Sequence, residues 1–255
     1  MTDSRPELDS SESLRAALLG AAVQQDLDLG EVVLEPDVQV PYAGVTSLLA
    51  EREPFWVALL WPEQGLFSYE GWGQGIELLT DDTDDLAEVA RIAAGWRRGL
   101  PLREIQQTAP SLQISELAEA HERGPAHVVD LRWRNLLTGL QKDTVSADPG
   151  IRARGQDALP LAEAAAAEPQ LRQLSPYLSH YTLHFSRCTG QPPTADVPFV
   201  VPLGEDYEVR GNWTIDRFQT LGRATTAQQA VALVLNHLPP RCGPAVSGTS
   251  ETFAG

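Results

Sequence analysis

Three of the five histidines and one aspartate sit where their spacing could support chemistry. His180 and His184 stand four apart. On a helix that spacing would put both imidazoles on one face, where they could chelate a metal. The surrounding SHYTLHFSRC instead alternates Tyr181, Leu183 and Phe185 onto an apolar face, the period of a strand. Four strand residues span about 13 Å, and imidazole ligands lie about 2 Å from an ion, so such a pair cannot share one metal. No metal is expected. His180, Thr182 and His184 should line a polar strand face, either solvated or the floor of a cleft. His127 and Asp130 stand three apart on a helical stretch, close enough for the carboxylate to orient the imidazole for acid–base work. Asp130 and Arg134, four apart, offer the competing reading of a surface salt bridge. His127, Asp130, His180 and His184 are the catalytic candidates.

Other chemistry is not written here. No serine sits in a G-x-S-x-G elbow, and neither a Walker loop nor a strand-borne G-x-G-x-x-G is present, so no cofactor is expected. Cys188 and Cys242 lie far apart with no C-x-x-C pair, which reads as two reduced thiols. DDTDD at 81–85 lacks the glycine and distal glutamate of a calcium loop and reads as a helix cap.

The tryptophans suggest binding instead. Trp56 and Trp61 are an odd number of residues apart on one strand, so they point to opposite faces and one of them looks away from the core. With Trp72 they could form an aromatic patch for a peptide, unless helices cover both faces. The charge agrees with a basic partner. The net charge is -16, and residues 1–143 carry 25 acidic against 11 basic side chains. Such a surface repels phosphate backbones, which argues against nucleic acid. No apolar run approaches the roughly 20 residues of a membrane span, and the N-terminal MTDSRPELDSSES has no apolar stretch, so no membrane contact and a cytoplasmic location are expected.

The elements that must position these residues follow from periodicity and caps. Residues 11–25 read as a helix behind Ser10 or Ser11. Val32–Leu34, Phe55–Trp61, Leu66–Tyr69 and Gly75–Leu79 read as strands, with Gly71–Gly75 a bend or bulge. A helix capped by Asp82 or Thr83 runs to Gly99, and shorter helices follow at 101–107, 115–122 and 127–137. TGLQKDTVSADPGIRARGQD has no apolar period and reads as a linker. Beyond it come an Ala-rich helix over 158–174, strands at His180–Cys188, Val197–Val201, Tyr207–Arg210 and Thr214–Gln219, and a Thr-capped helix through Asn236. The expected fold is α+β, with two similar antiparallel meander-plus-helix modules packed together. Residues 1–10 form a disordered tail, 11–143 an acidic α+β module, 144–157 a linker, 158–240 a second module and 241–255 a second disordered tail.

Two stretches look familiar together: GPAHVVDLRWRNLL at 124–137, and LSPYLSHYTLHFSRCTGQPPTADVPFVVPLGEDYEVRG with its following LGRATTAQQAVALVLNHLP. The Ser179–His180–Tyr181 strand, the Gly190–Pro192 turn and the closing Thr-Thr helix carry the likeness. The chain, over roughly residues 50–240, resembles an actinobacterial domain-of-unknown-function family whose members are labelled natural product biosynthesis proteins. The resemblance implies a genomic setting and no mechanism. Its Arg-Trp helix adds Arg132 and Trp133 to Trp56, Trp61 and Trp72 as binding candidates. The expected function is a pathway protein that binds a basic peptide or a protein partner. The alternatives are a metal-free enzyme or cyclase acting on a pathway intermediate, and an immunity or regulatory module. The oligomeric state stays open.

Overall fold

The computed structural model describes residues 10–35, 40–61, 64–110, 112–214 and 217–253; the side chains at 61, 212–214, 217 and 218 lie outside that description. The chain divides at Glu122/Arg123 into two compact units, each built on a five-stranded antiparallel sheet. The fold is α+β. The boundary falls about 20 residues before the expected one, at the Gly124–Pro125 break. Val129 and Trp133 go into the core of the second unit with Leu171, Leu183 and Phe185, so their helix belongs there.

In the first unit, α1 (Ser11–Val23) starts at Ser10, whose hydroxyl accepts from the Ser13 N–H in a reciprocal capping box. The sheet then runs as a meander: β1 (Val32–Val33), β2 (Tyr42–Val45), β3 (Phe55–Trp61), β4 (Leu66–Gly73) and β5 (Ile76–Thr83), in that spatial order. β2 is not legible in the sequence, because PYAGV is too short, and interrupted by Gly44, to show a period. α2 (Leu86–Arg97) follows directly and packs on the sheet and on α1. Its cap is Asp85, whose carboxylate accepts from the Ala87 N–H, rather than Asp82 or Thr83, which continue β5. α3 (Leu102–Thr108) and α4 (Glu116–Arg123) complete the unit. Strict alternation sorts the strands. Phe55, Val57, Leu59, Phe67 and Tyr69 are buried towards α2, and Trp56, Glu70 and Trp72 take the opposite face, half-buried.

The second unit comprises α5 (Pro125–Asp143), α6 (Pro149–Ala167), α7 (Pro169–Arg172), a meander of β6 (Ser175–Ser179), β7 (Thr182–Ser186), β8 (Phe199–Leu203), β9 (Asp206–Thr214) and β10 (Arg217–Ala224), and α8 (Ala227–Asn236). Three expectations are corrected. The linker at 144–157 is helical from Pro149, because Asp148 caps the backbone N–H groups of Gly150 and Ile151 and the helix packs on α5. That packing is close at Gly155, where an added Cβ would lie 2.8 Å from Asp143 Cβ. The strand expected over His180–Cys188 is present as β7 but starts only at Thr182: His180 and Tyr181 form the tip of the β6–β7 hairpin, both with left-handed φ angles, 51° and 65°. The tail beyond 241 is docked: Val246 pairs alongside Cys188, and Ala245 is buried. Of the other expected tail, residues 1–9 lie outside the described residues and Ser10 caps α1.

Candidate functional site

A hollow of about 430 Å³ opens on the sheet face of the first unit that turns away from α2, lined by Glu35, Tyr42, Glu53, Trp56, Glu70 and Trp72. Its geometry follows from strand register. Gly44, Trp56, Glu70 and Thr80 face one another across β2, β3, β4 and β5 in one row. Gly44 has no side chain, so the Trp56 indole lies over its backbone; an added Cβ would meet the ring at 2.6 Å. The indole stacks against Tyr42 with centroids 4.7 Å apart and planes 8° from parallel. Glu70 stands beside this slab, held from two sides. Its Oε1 accepts from the Tyr42 hydroxyl at 3.3 Å and its Oε2 from the Trp72 indole N–H at 3.0 Å. Burial, followed by the Glu70 charge, pushes the Tyr42 phenol up to about 12, so it stays a donor at any physiological pH.

Elsewhere in this unit a buried arginine pairs with a glutamate at the surface. The Arg52 side chain, only 6 % exposed, donates through Nη2 to the Leu100 carbonyl at 2.9 Å and to Glu122 Oε1 at 3.2 Å. Its guanidinium also lies 4.6 Å over the Trp96 ring. The same Glu122 oxygen accepts from the Leu102 N–H, and the Trp96 indole donates to the Glu53 carbonyl at 2.9 Å. Burial lowers the His121 pKa, with the Arg52 charge adding to it. Through Nη2, Arg52 links the backbone ahead of α3 and the α4 side chain of Glu122 to the segment that leads into β3, while its Nη1 is buried without a hydrogen-bond partner among the described residues.

The catalytic candidates are not brought together. Asp130 pairs with Arg172 Nη2 at 3.0 Å, while His127 is exposed on α5. His180 sits exposed at the hairpin tip with the Ser179 hydroxyl 3.3 Å from its Nδ1. His184 is mid-strand, stacked between Tyr177 and Phe199 at 4.9 and 4.6 Å, and burial lowers its pKa to about 4. The further binding candidates also separate. Trp133 is wholly buried and donates to the Leu174 carbonyl at 3.1 Å, so it is a core residue. Arg132 donates to the Ser175 hydroxyl at 2.6 Å, and burial lowers its pKa. The Trp61 side chain lies outside the described residues. Among the described residues no three His, Cys, Asp or Glu side chains converge as a metal site would need.

Of the five binding candidates, Trp56 and Trp72 meet in the hollow. Tyr42, Glu35, Glu53 and Glu70 were missed. Glu70 was legible, since it shares the alternation of Trp72 two residues on. Tyr42 was not, because nothing in the sequence says that β2 pairs with β3.

Fold and site together define an α+β protein with an aromatic, carboxylate-lined hollow on one sheet. No helix among the described residues is long and apolar enough to cross a membrane. Residues 127–249 match the model of a family of unknown function, DUF6193, and the match lies wholly within the second unit. It does not reach the stretch from 50 onwards that the sequence resemblance included. No curated protein and no solved structure matches the chain.

Proposed function

We propose that this is a cytoplasmic protein of a natural-product pathway that works by binding a basic peptide or a basic segment of a protein partner in the hollow of the first sheet. The carrying observation is the pairing of Trp56 and Trp72 with Glu70 on an open sheet face. The charge distribution supports it. Residues 1–122 hold 23 acidic and 7 basic side chains, whereas 123–255 hold 12 of each, so the whole net charge of -16 belongs to the unit with the hollow. Its field raises the local concentration of a cationic ligand, while the aromatic area supplies the contact that lasts. The natural-product setting rests on the sequence resemblance.

Titrating the full chain with short Arg/Lys-rich peptides, and with acidic peptides of equal length, tests this reading. Raising salt from about 50 to 500 mM shrinks the Debye length about threefold, so association should slow strongly while dissociation changes less. Trp56→Ala and Trp72→Ala should each weaken binding about tenfold or more. Binding that ignores charge and salt, or survives both substitutions, places the partner elsewhere on the molecule.

A further inference from the structure

We infer that the hollow reads one guanidinium group, so that an arginine side chain of the partner is the anchor. This rests on the binding reading above and narrows it. Three features of the site select the cation. The first is shape: the Tyr42–Trp56 pair presents a flat aromatic slab, against which a planar delocalised cation stacks over its whole area. The second is the acceptor. Glu70 is held by Tyr42 and Trp72 before any ligand arrives, yet each of its oxygens keeps a lone pair. A preset carboxylate edge next to an aromatic slab matches a cation that donates in its own plane while its face stacks, and it loses little freedom on binding. The third is charge and hydration. Glu35, Glu53 and Glu70 line the hollow with no basic side chain among the lining residues. Those acceptors can use the five N–H donors of a guanidinium better than the three of an ammonium. A guanidinium is also the more weakly hydrated of the two, so leaving water for a half-covered hollow costs it less. A metal ion would use the carboxylates but would gain little from three aromatic walls.

The test uses the full chain and three capped tripeptides, N-acetyl-Gly-Xaa-Gly-amide with Xaa arginine, lysine or citrulline. Citrulline keeps the planar shape and loses the charge. Affinity is read by tryptophan fluorescence and by NMR shifts of the indole N–H signals. The arginine peptide should bind about fivefold or more tighter than the lysine peptide, and the citrulline peptide should not saturate. Glu70→Gln, whose amide oxygen can still accept from the Trp72 indole while its NH2 donates to the Tyr42 hydroxyl, should bring arginine down to the lysine level with the melting temperature unchanged. Trp72→Phe, which frees the carboxylate, should weaken arginine binding severalfold and leave lysine less affected. Equal binding of arginine and lysine, or arginine preference intact in Glu70→Gln, overturns the guanidinium assignment while leaving the basic-peptide reading standing. Failure of the arginine and lysine peptides to bind, together with failure of longer basic peptides, removes both.

Discussion

Deleting residues 244–255 should destabilise the second unit, although their composition reads as a loose tail. Five backbone hydrogen bonds tie that segment down. Ala245 N–H donates to Gln173 O at 2.9 Å, Val246 N–H to Arg187 O at 3.0 Å and Ser250 N–H to Pro192 O at 2.8 Å. In return the N–H groups of Thr189 and Gly190 donate to the Val246 and Gly248 carbonyls at 2.9 and 2.7 Å. Arg187 also lies 4.6 Å over the Phe253 ring. Without the segment the Thr189 and Gly190 donors, both in buried residues, lose their acceptors. An unsatisfied buried donor costs about 1–3 kcal/mol; since water can reach the uncovered edge, the low end applies, and the two together cost about 2 kcal/mol. For a unit of this size that is a fall in Tm of about 6–8 °C. The second readout is Cys188, wholly buried beside Val246. In a Cys242→Ser background a thiol reagent should be slow with the full chain and much faster with the truncated one. An unchanged Tm together with a still-protected Cys188 would refute the claim that the segment covers this edge.

Two further outcomes follow from single positions. Gly44→Ala puts a methyl within 2.6 Å of the Trp56 ring, so the indole must tilt out of its stack with Tyr42; basic-peptide affinity should fall about tenfold, measured by fluorescence titration, and unchanged affinity would show that the slab is not used. His184 has its pKa lowered to about 4 by burial, so between about pH 6.5 and 4 the unfolded chain binds a proton that the folded chain does not. Stability should therefore fall as pH drops through that window, and His184→Phe, which keeps the stack with Tyr177 and Phe199, should flatten that part of the profile in urea unfolding; equal slopes in both proteins would contradict it.

The α+β class, the paired meanders and the terminal helix of each unit were legible, because strand alternation and helix caps are local signals. That Trp56 and Trp61 alternate along their strand was legible for the same reason, since parity depends on nothing outside the strand, but which of them looks outward was not. The extent of helix α6 was not, since DPGIRARGQD shows no apolar stripe and is held by the Asp148 cap and by Gly155 against α5. The docked C-terminal segment was illegible too, because its stabilisation lies in backbone groups, which composition does not report. The same holds at the site. The sequence by itself determined an acidic first half and a tryptophan-rich meander. Only tertiary pairing decided that Gly44 lies opposite Trp56 and Glu70 beyond it, since register joins residues 26 positions apart. A carboxylate becomes a preset acceptor only when Tyr42 and Trp72 arrive from neighbouring positions of the sheet, and no local pattern encodes that meeting.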